Sequence, residues 1–418
     1  MQAHVHDHDS GEGLVPVQEY HDRVLSRIEP LAPIDLHLQE ALGCVAAHDV
    51  HASEDMPSFS SSAMDGFAVR SADVAGASAD VPVELAIVGR ARIGRRPDAT
   101  VGGGEAVRID TGAPIPAGAD CVVPIESCVS SQSTVRVLQG APHGKHVRPA
   151  GEDARSGDLL VPAGRKLGAP ELGILASAGC ARAPVHPRPR VVILSTGDEL
   201  IEPGQLPHFG QVRDSNGYAL YGATKDAGAR PYPAGIVRDD VDGFRETILS
   251  QLGQADAFIS SGGVSVGERD VVKRAFFKRG EVEFTRVAMQ PGMPQAFGEI
   301  EGKPYFGLPG NPVSVFVSFE LFVRPALLKM AGRRDLERPT VDALLETEIS
   351  GPRGKTAYAR VRVRRTSMGW LASSTGSRSS NLFSTVSRAN GLAVLPPGVE
   401  RLEIGERCRV IVFRALED

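Results

Sequence analysis

Apolar positions near the start of the chain repeat with a helical period. In VQEYHDRVLSRI, Val17, Tyr20, Val24 and Ile28 fall on one face. LHLQEALG predicts a second, short helix ending at Gly43. The rhythm then shortens: VPVELAIVG, EAVRI, CVVPIE and TVRVL are brief, rich in Val and Ile, and bounded by Gly, Pro and Asp. They predict a small β-barrel or sandwich. ELGILASAGC turns helical again, which predicts a return to pack on the first helices and a discontinuous first domain. From Pro189 the rhythm becomes strand, turn, helix. RVVILS, DAFISS and YFGL read as buried strands followed by Gly-rich turns, so a mostly parallel sheet with helices on both faces is expected. From Pro339 the chain is β once more, in TVDALLETEI, AYARVRVRR, GWLASS, GLAVLP and RCRVIVFR, and predicts a small β-barrel.

Composition narrows the function without naming it. A length of 418 residues implies two to four domains. Aromatic content of 5%, one tryptophan (Trp370) and a net charge of -5 argue against a nucleic-acid platform, which needs stacking rings and cations. The five cysteines are odd in number and form no CxxC pair, which argues against a disulfide framework or structural zinc. They read as thiols of a reducing, cytoplasmic compartment. No secretory signal is visible, and the longest apolar run, PVSVFVSFELFV, is broken by Glu320, so no transmembrane segment is expected. His4, His6 and His8 in HVHDHD read as a solvated terminus.

The candidate chemistry sits in three turns of the strand–turn–helix region. LSTGDEL presents Asp198 and Glu199 at a strand tip. SSGGVSVGERD carries Gly262 and Gly263, whose lack of a Cβ lets backbone N–H groups approach an anion. GLPGNPVS carries Pro309, Asn311 and Pro312 before a helix. In parallel sheets such turns share one edge, where ligands bind. Asp198, Glu199, Asp239, Asp240 and Asp270 are hard oxygen donors that suit Mg²⁺ beside a phosphate. Some of them also suit plain roles: Asp270 as a helix N-terminal charge, and one of Asp239 and Asp240 as a solvated turn residue.

SAMDGFAVR, RIDTGAPIPAGAD, VRPAGEDARSGD, STGDEL, RDSNGYAL, SSGGVSVGERD, MQPGMPQAFG, GLPGNPVS and STGSRSS follow one another in the order seen in MoeA-type molybdopterin molybdenumtransferases. The chain resembles that family, to which the C-terminal region of gephyrin also belongs, from about residue 15 to its end. The resemblance implies a tail (1–14), a split helical linker domain (15–55 and 148–188), a β domain (56–147), a MogA-like molybdopterin-binding α/β domain (189–333) and a C-terminal barrel (334–418). It implies a homodimer whose second chain completes the cleft. The implied reaction inserts molybdate into adenylylated molybdopterin with Mg²⁺ and releases AMP.

Carried over by motif, Glu199, Asp239 and Asp270 are the acidic cluster around metal and pyrophosphate. Gly262, Gly263 and Ser265 form the phosphate cradle. Ser195, Gly197, Asp214, Pro309, Asn311 and Pro312 fall in the binding motifs, and Thr111 and Asp153 match cleft residues of the first half. Arg286 stands where the family has a basic residue. Lys355, Arg360, Ser377 and Arg378 align with the cleft-facing part of the barrel. Arg286, Lys355 and Arg360 are the expected cations for molybdate, a tetrahedral dianion, and no protein nucleophile is expected. Three positions depart from the family: Ser60 replaces an Asp, and Gln290 and Met293 replace the lysines of KPGKP. These losses are compatible with an active transferase or with a gephyrin-like scaffold that holds a partner's peptide tail between the α/β and C-terminal domains. The implied further partners are a molybdopterin adenylyltransferase and molybdoenzyme maturation proteins.

Overall fold

A computed structural model of the chain describes residues 13–264, 274–275, 282–367 and 369–415. Helix α1 (Val17–Ser26) directs its apolar face inward, and Tyr20 meets Phe322 edge-on at 4.9 Å. Tyr20, Val24 and Ile28 are all buried, but among residues of the α/β domain rather than in a separate helical core. Burying each such side chain contributes about 1.5–3 kcal/mol. The second expected helix forms over half its length and opens in a strand. Ile34–His37 pairs antiparallel with Arg182–His186, and only the single turn Leu38–Ala41 is helical. The alternation in Ile-Asp-Leu-His fits a strand, and a ladder partner 145 residues downstream decides between the two periods.

Val45–Ala46 joins the other side of Arg182–His186. Val50–His51 pairs with Leu159–Val161, and Ser61–Ser62 with Val147–Arg148. The chain thus leaves and returns through the same small sheets. Helix α2 (Ala169–Ser177) places Leu175 over Ala46 and Val185 in their shared core. Between the crossings lies a six-stranded mixed sheet in the order Cys121–Pro124, Gly66–Val69, Glu105–Ile109, Val83–Ala91, Thr134–Val137, Cys128–Ser130. Alternate side chains enter different clusters, Phe67, Val69 and Val123 on one face and Ala68, Val107 and Val122 on the other.

The α/β domain is built on six strands, numbered here within their sheet: β1 (Arg190–Thr196), β2 (Arg230–Val237), β3 (Ala257–Ser261), β4 (Val282–Arg286), β5 (Pro294–Ile300) and β6 (Lys303–Leu308). Their order is β2-β1-β3-β6-β5-β4. The first four are parallel, and β5 runs antiparallel to both β6 and β4. Helices α3 (Asn216–Asp226), α4 (Val241–Gln251), α5 (Pro312–Ser318) and α6 (Arg324–Met330) cover it. Val191 and Ile193 face the cluster with Leu220 and Val313, while Val192 and Leu194 face Phe244 and Ile248. Burial on both faces explains the continuous apolar runs. Ser195 stands opposite Ser261, and Ser261 opposite Leu308, so the turns leaving β1, β3 and β6 share one edge.

The last domain is a sheet closed on itself. Gly391–Leu395 pairs with both Thr356–Thr366 and Arg407–Val412, and Thr340–Leu345 and Gly369–Ser374 complete a five-strand barrel. Met289–Gln290 pairs in parallel with Thr356–Ala357, which ties the barrel to the α/β domain. Arg338 adds a second tie by forking onto Glu320 at 2.9 and 3.1 Å. The architecture is the multidomain α/β plus β arrangement expected. Among the described residues no helix is long and apolar enough to cross a membrane. All five cysteines are free thiols.

Candidate functional site

Three turns converge on a cleft of about 820 Å³ between the α/β edge and the barrel. At the first, Gly197 has φ +151° and donates its N–H to Val237 O at 3.3 Å. The Glu199 carboxylate folds back over it: a methyl on Gly197 would lie 2.5 Å from Oε2 and 2.8 Å from both Cδ and Oε1. Asp239 comes from the end of β2, and its N–H donates to Asp198 Oδ1 at 3.3 Å. Burial, then the charges of Asp198 and Glu199, raise its carboxyl above the usual range. Asp240 has the plainer role of capping α4 by accepting from Gly243 N–H at 2.7 Å.

At the second turn Gly262 and Gly263 have φ +85° and +71°. A Cβ on Gly262 would stand 2.7 Å from Thr196 O, so only glycine fits. Its N–H is taken by Leu308 O at 3.0 Å, so the amide left to a ligand is that of Gly263. At the third, Gly310 O accepts from Asn216 Nδ2 at 2.7 Å, and Asn311 Nδ2 donates to Ser380 Oγ at 2.9 Å across the domain boundary. Pro309 and Asn311 line the cleft, whereas Pro312 starts α5 and does not.

The barrel supplies the opposite wall, with Lys355, Arg378, Ser379 and Ser380. Arg360 does not line the cleft. It is 4% exposed and bonds Thr385 Oγ1 at 3.2 Å, Ser377 O at 2.6 Å and Ser379 O at 3.3 Å. Burial, then Arg378, lowers its pKa. Its fork is spent on positioning the 377–379 loop rather than left for a ligand. Ser377 and Arg360 face a neighbouring recess of about 150 Å³, which Arg378 shares.

Other expected residues lie elsewhere. Ser195 is buried and accepts from Ser261 Oγ at 3.3 Å, and Asp214 accepts from Gly217 N–H at 3.0 Å at the start of α3. Both border a separate small recess with Tyr218 and Tyr221. Arg286 is exposed off the cleft, with Nη2 directed at Met293 Sδ, 3.9 Å away. Thr111 gives N–H and Oγ–H to Asp65 Oδ1 at 2.7 and 3.1 Å. Asp153 gives its N–H to Met56 O at 2.9 Å, and Ser60 Oγ accepts from Ala150 N–H at 3.2 Å. These three residues do not line the cleft of their own chain. Ser265 and Asp270 lie outside the described residues. Sequence reading missed Asn216, Ser379 and Ser380, whose place in the site depends on contacts between distant segments.

Among the described residues no three His, Cys, Asp or Glu side chains converge as a metal cage. Glu199 and Asp239 still fit Mg²⁺, which takes one or two carboxylates and fills its octahedron with water and phosphate oxygens. The charges of Asp198 and Glu199, which add to burial in raising Asp239, are what a divalent cation would offset.

Residues 15–179 match the family described as MoeA N-terminal region (domain I and II). Residues 192–329 match the probable molybdopterin binding domain, and 342–413 the MoeA C-terminal region (domain IV). Molybdopterin molybdenumtransferase 2 of Mycobacterium tuberculosis is 39% identical over 94% of this chain and 98% of that protein. The molybdopterin molybdenumtransferase of Staphylococcus aureus is 31% identical over 95% of each. A solved molybdopterin biosynthesis MoeA protein from Pyrococcus horikoshii superposes with a TM-score of 0.84 at 31% identity, over 96% of this chain and all of that one. The convergent Gly-rich turns, the closed barrel and these full-length matches agree, and the chain belongs to the MoeA-type molybdopterin molybdenumtransferase family.

Proposed function

We propose that this protein inserts molybdate into adenylylated molybdopterin and releases AMP, in a Mg²⁺-assisted step of molybdenum cofactor biosynthesis. The observation that carries this reading is the division of charge across one cleft. Glu199 and Asp239 stand on the α/β side, and Lys355 and Arg378 on the barrel side. Glu199 and Asp239 are the residues that would hold Mg²⁺, which offsets negative charge as the phosphoanhydride breaks. Gly263 N–H offers a donor to a phosphate. Lys355, Arg378 and the hydroxyls of Ser379 and Ser380 draw the molybdate dianion to the facing wall.

A homodimer is part of the reading. Thr111 and Asp153 stand off the cleft of their own chain, and the segment before α3 leaves Leu206 86% and Phe209 fully exposed, apolar surface that a second copy would cover. The test is AMP release by purified protein given adenylylated molybdopterin, molybdate and Mg²⁺. Glu199→Gln should abolish it, and full release by that variant would sink the proposal.

A second reading, a gephyrin-like scaffold, is favoured by one feature. A cleft of about 750 Å³ lies between α1 and the barrel, bordered by Pro16, Val17, Phe322, Tyr358 and Ile411. Its lining, which sets these apolar side chains beside His21, Glu337, Arg338 and Arg409, suits a short peptide of a partner protein. Tight peptide binding without AMP release would favour it over transfer.

A further inference from the structure

We propose that Arg378 is the cation that grips the tetrahedral oxyanion at the mouth of the cleft and sets the affinity for it. This rests on the transferase reading and names the residue that carries one of its substrates. Among the described residues, the cations lining the cleft are Lys355 and Arg378 alone, and the turn Gln290–Met293 contributes only neutral side chains. The other expected cations are committed elsewhere. Arg360 is buried and spends its fork on Thr385, Ser377 and Ser379, and Arg286 lies against the sulfur of Met293 outside the cleft.

Arg378 differs from both. Its side chain is exposed, and Nη1 donates to the neutral Ser350 O, which holds the guanidinium without cancelling its charge. No carboxylate pairs with it among the described residues. Arg360 bonds the carbonyls of Ser377 and Ser379, the residues on either side of Arg378. The backbone that carries Arg378 is therefore fixed before any ligand arrives, which lowers the ordering cost of binding. Arg360 is a positioning residue in this arrangement. Ser380 adds a neutral donor: its Oγ accepts from Asn311 Nδ2 at 2.9 Å, so its own hydroxyl hydrogen is directed away from Asn311. A planar guanidinium can meet two oxygens of a tetrahedral dianion at once, and the hydroxyl can meet a third.

The experiment measures AMP release against molybdate concentration with adenylylated molybdopterin and Mg²⁺ saturating. Arg378→Gln should raise KM for molybdate about tenfold or more, with kcat falling less than KM rises, the pattern of lost substrate binding. Met293→Lys, which puts a charge on the facing turn, should bring KM of the Arg378→Gln chain back toward that of the wild type. Calorimetry with tungstate, an oxyanion of the same shape and charge, should show weaker binding to Arg378→Gln in the absence of turnover. An unchanged KM in Arg378→Gln, a loss of kcat at constant KM, or no recovery from Met293→Lys would overturn the assignment. A wild-type chain that releases no AMP in response to molybdate would remove the transferase reading itself. Wild-type turnover with an indifferent Arg378→Gln would remove Arg378 alone.

Discussion

Replacing Gly197 with alanine tests whether the backbone of the first turn places the Glu199 carboxylate proposed to hold Mg²⁺. The added methyl would fall 2.5 Å from Glu199 Oε2 and 2.8 Å from Cδ and Oε1, well inside contact distance for all three atoms. The carboxylate must retreat by roughly 1 Å, a displacement that can cost on the order of 100-fold in a reaction depending on exact placement, or about 2.7 kcal/mol. The backbone adds its own cost. At φ +151° a side chain is strained, with a penalty of about 1–3 kcal/mol. Both effects are expected together: a lower melting temperature, and a shift of the Mg²⁺ response of AMP release to higher concentration. Gly204→Ala is the control, because a methyl there meets no atom within 4 Å and the residue lies on the same connection. Wild-type Mg²⁺ response in Gly197→Ala, or equal damage in Gly204→Ala, would refute the claim that Gly197 makes room for Glu199.

Two further predictions concern stability. Glu320 is 5% exposed by side chain and balances both the forked Arg338 and Arg324, itself 8% exposed with Nε at 3.7 Å. Glu320→Ala strands a buried guanidinium and should destabilise the protein by about 3–5 kcal/mol in denaturant titration. Arg338→Ala leaves Arg324 its partner and should cost less; equal costs would show that Arg324 does not depend on Glu320. Asp65 is held below the usual carboxylate range by the backbone and side-chain hydrogen bonds of Thr111. Its contribution is complete above its unfolded pKa of about 3.9 and is lost as pH falls through the lower folded value. The melting temperature of Asp65→Asn should therefore fall less than that of the wild type on acidification through that window, and parallel curves would contradict the Thr111 link.

What the sequence revealed depended on the range of the interactions involved. The face of α1 and the runs of β1 and β3 were legible because burial there is periodic and local. The strand Ile34–His37 was not, because its partner is a distant segment and four residues satisfy either period. In STGSRSS, Ser377 was the serine assigned to the site, yet Ser379 and Ser380 line the cleft. Several serines within a few positions are indistinguishable until Asn311, 69 residues earlier, selects Ser380 by a hydrogen bond. Asn216 is read the same way, through Gly310, 94 residues later. Arg360 shows the converse. Its charge and its alignment with the family's cleft-facing barrel segment marked it as a ligand grip, whereas burial turned its donors toward the carbonyls of its own loop.

The division of charge between two domains has a physical reason. Carboxylates and guanidiniums on one turn would pair with each other, since opposite charges about 4 Å apart gain ~4 kcal/mol at an effective dielectric of 20. A site neutralised in that way would offer little to a cation or an oxyanion. Here no ion pair joins Glu199 or Asp239 to Arg378 among the described residues, and Asp239 instead feels the repulsion of Asp198 and Glu199. Carrying the two signs on separate domains preserves both, and the Met289–Gln290 pairing with Thr356–Ala357 and the Asn311–Ser380 bond keep them facing across one space. In the proposed reaction, a pyrophosphate-bearing substrate and an oxyanion co-substrate would complement the two walls together. Either component alone leaves one wall unsatisfied, so the two should bind with positive coupling, each tightening the other by the same factor.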